Sequence, residues 1–107
     1  MLALQQKPVA AYQQRPVVTR RSRPVLPKHV RLRFDPVRQA WAVLAPERVL
    51  WPNEIGLDIL RRCDGRTSVR AIIAALAIEY DGEEEEIAGD VLAFLQEWTD
   101  DLLVRLS

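Results

Sequence analysis

"WAVLAPERVLW", residues 41–51, decides the fold. Two short apolar runs, Trp41–Ala45 and Arg48–Trp51, flank a Pro-Glu pair. Each reads as a short strand, and the second stops at once against Pro52. Just upstream, "VRLRF" at 30–34 alternates strictly, with Val30, Leu32 and Phe34 on one face and Arg31 and Arg33 on the other. That pattern is a half-buried strand. Asp35 and Pro36 turn the chain between the first strand and the second. Three strands with tight connections make an antiparallel meander.

Downstream the period changes to that of helices. Asn53 is a candidate N-cap, and Ile55, Ile59, Leu60 and Cys63 follow at helical spacing. Asp64-Gly65 closes this helix. Thr67 or Ser68 caps a second helix, whose stripe is Val69, Ile72, Ile73, Leu76, Ala77 and Tyr80. Gly82 ends it. The third and longest helix opens on Glu83–Glu86, four acids that complement the positive end of the helix dipole. Its stripe runs Ile87, Val91, Phe94, Leu95, Trp98, Leu102, and "LLVRL" reads as a short extended segment returning to the domain. The fold class is therefore α+β, a three-stranded antiparallel sheet followed by three helices, with no internal repeat.

The chain has 107 residues and 49% hydrophobic content, enough for one modest core. Its formal charge is zero, but unevenly spread. Residues 1–29 carry six basic residues and no acid, whereas residues 30–107 carry nine basic and fifteen acidic ones. Pro8, Pro16, Pro24 and Pro27 interrupt the N-terminal stretch, which has no apolar period. Residues 1–29 thus read as a disordered, basic, Pro-rich linker, and 30–107 as the domain. No run approaches the ~20 apolar residues of a membrane span. A single cysteine, Cys63, excludes a disulfide framework and fits a cytoplasmic setting.

Groups for catalysis are scarce. His29 is the only histidine and has no cysteine companion beside it. Cys63 falls on an apolar helix face without a base. The four glycines are scattered, so no phosphate loop is present, and Glu83–Glu86 lacks the alternating ligand spacing of a calcium loop. The expectation is a binding module, not an enzyme, without metal or cofactor. A sheet with three small helices is also the outline of winged-helix nucleic-acid binders. Phosphate contact requires Lys and Arg, yet this domain is net acidic, which disfavours that alternative. A peptide suits the pattern better, because an open edge strand accepts a peptide as an additional strand. The long third helix would then wall the groove. An exposed edge also pairs with itself, so self-association is the third possibility.

Several stretches together resemble one family: "RLRFD" (31–35), "LAPERVL" (44–50), "IL" with "CDG" (59–65), "TSVRAIIAALAIEYDG" (67–82) and "DVLAFL" (90–95). In this order and spacing they are similar to PqqD proteins of pyrroloquinoline quinone (PQQ) biosynthesis. The resemblance spans roughly residues 24–106. It implies a winged-helix-like recognition element for ribosomally made, post-translationally modified peptides. Such a domain carries no cofactor, binds the precursor peptide PqqA, and presents it to the radical S-adenosylmethionine enzyme PqqE. In some bacteria such domains are fused behind PqqC, and the N-terminal stretch resembles that interdomain linker.

The resemblance also implies where the peptide lies: beside the third strand and against the third helix. On this chain those positions are Pro46, Glu47, Arg48, Val49, Leu50 and Trp51, and then Asp90, Val91, Phe94, Leu95, Glu97 and Trp98. Val91 and Leu95 are expected to be mainly structural. Trp51, Phe94 and Trp98 fit either groove or core.

Overall fold

The computed structural model describes residues 15–107. Strand β1 is Pro24–Val25, β2 Arg31–Asp35, β3 Ala40–Ala45 and β4 Arg48–Leu50. Helices α1 (Glu54–Arg61), α2 (Val69–Glu79) and α3 (Glu84–Asp100) follow, and β5 (Arg105–Leu106) ends the series. The main sheet has the order β2-β3-β4 and is antiparallel throughout. The meander followed by three helices is the α+β architecture that the periodicities imply.

The local signals act as their chemistry requires. Asp35 Oδ1 accepts from the backbone N–H of Val37 at 2.9 Å and of Arg38 at 3.3 Å, which folds the first hairpin. Asn53 Oδ1 caps α1 through the Gly56 N–H at 2.8 Å. Of the two candidate caps of α2, Ser68 takes the role through Ala71 N–H at 3.1 Å. Thr67 instead donates its hydroxyl to Asp64. Asp64 also accepts from the backbone N–H groups of Thr67 and Arg66, and these bonds hold its carboxyl below the usual carboxylate range.

The core lies between one face of the sheet and the helices. Val43 of the central strand, Ile59 and Leu60 of α1, Ile72, Ile73 and Leu76 of α2, and Val91 and Leu95 of α3 are fully buried. Leu32 and Leu50 share the Val43 row through the strand register and pack against this cluster. Phe34 departs from the expected alternation. It is 41% exposed and meets Trp41 edge-to-face at a centroid distance of 5.5 Å. The Arg61 guanidinium in turn covers the Trp41 ring at 4.6 Å.

The expected linker is corrected over its second half; residues 1–14 lie outside the described residues. Residues 15–29 form a strap bound to the helices. Arg15 makes a bidentate pair with Asp100, at 2.7 and 2.6 Å. Gln96 bridges to the strap at two points, accepting from Val18 N–H and donating to Pro16 O, both at 2.9 Å. Arg20 pairs with Glu85 at 3.2 Å, and the carbonyls of Ser22 and Arg20 accept from the first-turn N–H groups of α2. β1 then pairs antiparallel with β5, as the extended reading of "LLVRL" requires. Val18, Pro24 and Pro27 are buried. The strap has no period of its own because its partners are side chains and carbonyls of other elements. The basic stretch settles on acids of α3, and Arg15 with Gln96 holds the Asp100 carboxyl below its ordinary range.

The end of α3 answers to no glycine. Leu102 sits at the left-handed position after the helix, φ +63°, while the N–H groups of Leu103 and Val104 return to Trp98 O. Glycine usually fills this position, since an L side chain there is strained. Leu102 is also 76% exposed, so its side chain contributes little to the core. Leu102→Gly is therefore expected to stabilise the protein by about 1 kcal/mol. Urea unfolding would show it as a raised midpoint at constant slope, and a lowered midpoint would contradict it.

Candidate peptide-binding edge

The site is built from β4 outward. Pro46 and Glu47 alone connect β3 to β4, and Glu47 takes φ +60°. Proline followed by a positive φ fits a type II turn. Ala45 and Arg48 close this hairpin, and the register continues Leu44–Val49 and Val43–Leu50. Antiparallel pairs alternate between hydrogen-bonded and non-hydrogen-bonded. With a two-residue connection the closing pair is hydrogen-bonded. Arg48 and Leu50 thus bond to β3, and Val49 turns its N–H and C=O to the free edge. Among the described residues no strand lies beyond β4.

The side chains divide by the same alternation. Leu50 is half-buried against the core; Val49 points to the opposite face and is 56% exposed. Trp51 is 42% exposed and stacked beneath Arg38, whose guanidinium lies 4.7 Å from the ring centroid. With Val49, Leu44, Ala42 and Arg33 it lines a shallow concavity of about 310 Å³ on the outer face of the sheet. Trp51 therefore belongs to the outer face and not to the core. Pro46, Glu47 and Arg48 are exposed.

The residues expected on the helix wall separate into two sets. Val91 and Leu95 are fully buried and Trp98 is 7% exposed, so all three are core residues. This narrows the expected set, because their side chains are not offered to a partner. Asp90, Phe94 and Glu97, at spacings of four and three, lie along the other flank of α3. Asp90 and Glu97 are exposed, and Phe94 is half-buried and stacked on Trp98 with centroids 5.0 Å apart. The strap occupies a different flank, through Glu85, Gln96 and Asp100.

Gly56 shapes the packing of Phe94, which the periodicity does not reveal. A Cβ built on it would stand 2.8 Å from Phe94 Cε2 and 3.0 Å from Asn53 Oδ1. Its lack of a side chain lets Phe94 lie directly against the first turn of α1, a few residues beyond β4. The signal in the sequence is a glycine inside an amphipathic helix, which marks close approach of a neighbour.

The acid–base groups nearby are structural. Cys63 is buried, its thiol donates to Ile59 O at 3.3 Å, and burial with the adjacent Asp64 pushes its pKa to about 12. It is a poor nucleophile at neutral pH. The Tyr80 hydroxyl donates to Asp58 and is held up to about 12, chiefly by that bond. No helix of the described residues is long and apolar enough to cross a membrane.

These features define a winged-helix-like α+β domain that leaves one edge of its sheet open among the described residues. The family model described as coenzyme PQQ synthesis protein D (PqqD) matches residues 40–104. The chain belongs to the PqqD family. A protein of Rhodopseudomonas palustris strain TIE-1, named PqqA binding protein, is 54% identical over 74 residues, which cover 69% of this chain and 72% of that one. The solution structure of the PqqD truncation of Methylobacterium extorquens PqqCD, described as a functional, stand-alone recognition element for ribosomally synthesised and modified peptides, superposes with a TM-score of 0.66. It is 35% identical, over 77% of this chain and 87% of that one. The crystal structure of PqqD from Xanthomonas campestris gives a TM-score of 0.54 at 38% identity, covering 84% of this chain and all of the other.

Proposed function

We propose that this protein is a peptide chaperone of PQQ biosynthesis. It captures the precursor peptide PqqA as a fourth strand on the β4 edge and presents it to the radical S-adenosylmethionine enzyme PqqE. The observation that carries this reading is the β4 edge, unpaired among the described residues, with Val49 directing a donor and an acceptor outward. Backbone pairing alone nets only about 0.5–1.5 kcal/mol per bond, so side-chain contact must add to it. Phe94 supplies an apolar surface on one side of the edge and the Val49–Trp51 shelf supplies one on the other. Asp90 and Glu97 give the helix wall a negative rim suited to a basic residue of the peptide. Membership of the PqqD family and relatives named for PqqA binding support the choice of peptide.

Nucleic-acid binding has no comparable support. Residues 53–107 carry thirteen acidic and five basic residues, and α3 opens on exposed glutamates. Such a surface repels a phosphate backbone.

Titration of the isotopically labelled protein with PqqA peptide tests the site. Amide shifts are expected at Arg48–Trp51 and around Asp90, Phe94 and Glu97. Saturable binding that leaves those resonances unmoved would refute the proposed location.

A further inference from the structure

A second cleft, sharing no residue with the β4 edge or its helix wall, lies between the strap and the C-terminal strand. It measures about 420 Å³ and is lined by Pro16, His29, Thr99, Leu102 and Arg105, among others. That size falls within the roughly 300–1,000 Å³ of small-ligand pockets. We propose that this cleft is a binding site for a small apolar carboxylate.

Three observations converge on it. Thr99 is 4% exposed, and its hydroxyl is cut off from solvent without a hydrogen-bond partner among the described residues. Buried hydroxyls are normally paired, and a ligand in the cleft would reach this one once the Thr99 side chain turns toward it. Leu102 holds a strained backbone and exposes its side chain at the same cleft, where glycine would be the more stable choice. An apolar side chain kept under strain at the rim fits contact with an apolar ligand. Arg105 is exposed at the cleft and, like several other surface arginines, has no ion-pair partner among the described residues, so its guanidinium is available to an anion there.

The sign of the ligand follows from the lining. Among the described residues, Arg105 and His29 are its ionisable groups, and none of its lining residues is a carboxylate. A carboxylate on Arg105, with an apolar body against Leu102 and the strap prolines, complements both. Residues 1–14 contain no Asp or Glu, so they offer Arg105 no carboxylate.

The test uses 4-phenylbutyrate and octanoate as probes, each beside its neutral amide, with the full chain observed by amide chemical shifts. Saturable shifts are expected at His29 and Leu102–Leu106 and none at Arg48–Leu50. Each acid should bind about tenfold more tightly than its amide, from the charge-assisted contact with Arg105. Arg105→Gln should erase that preference and leave amide binding unchanged. Leu102→Gly, which is expected to fold more stably, should weaken acid and amide alike. The proposal is overturned by shifts that rise linearly to the solubility limit. An acid preference that survives Arg105→Gln also overturns it.

Discussion

Val49→Pro is expected to weaken PqqA binding by about tenfold or more while leaving the domain folded. Proline removes the one N–H that β4 directs outward and sets its ring where a pairing strand must approach. The lost hydrogen bond and the blocked approach add, so a single bond's worth sets the lower limit. Folding tolerates the change because that N–H bonds nothing within the sheet. Leu50→Pro is the matched control. The Leu50 N–H bonds to β3, so proline there breaks the ladder and lowers stability first. Calorimetric titration and urea unfolding of the pair separate the two effects. Wild-type affinity in a folded Val49→Pro protein would rule out strand addition at this edge.

Trp98→Ala is expected to cost about 3–5 kcal/mol of stability. The residue is 7% exposed and packed among α3 and core side chains, and its loss leaves a cavity that rigid helices do not close. A domain of this size has only about 5–15 kcal/mol in total, so the variant should melt far below the parent or fail to fold. Phe94→Ala should behave in the opposite way. Phe94 is half-buried and sits over Gly56, so truncation should cost less stability and should weaken peptide binding about tenfold. Equal destabilisation by both changes would make Phe94 a core residue. Unaltered affinity in a folded Phe94→Ala protein would remove the helix wall from the site.

The contrast between these aromatics shows how far the pattern reaches. Phe94 and Trp98 are four residues apart and share the apolar side of α3. Spacing alone therefore assigns them one role. Their separation arises because α1 presents a glycine to Phe94 and the core closes over Trp98. Trp51 is similar. Its place after an apolar run fits core or groove equally, and the stacking of Arg38, from the preceding hairpin, fixes it on the outer face.

The proposed carboxylate cleft and the peptide edge are independent. A chain defective at β4 should retain the cleft, since no lining residue is shared.

The sequence by itself determined the elements, their order and most of their ends. Alternation in β2, helical stripes in α1 to α3 and caps at Asn53 and Ser68 are interactions within a few residues, and such interactions leave a period or a signature residue. It also marked β4 as short and apolar, stopped after Trp51 by Pro52. Only the tertiary structure decided that residues 15–29 belong to the domain, since Arg15 meets Asp100 across 85 residues and Arg20 meets Glu85 across 65. It likewise decided which α3 side chains remain outside the core, and it brought Thr99, Leu102 and Arg105 together with Pro16 and His29. Contacts between distant segments depend on where folding carries each one, and no local spacing records that.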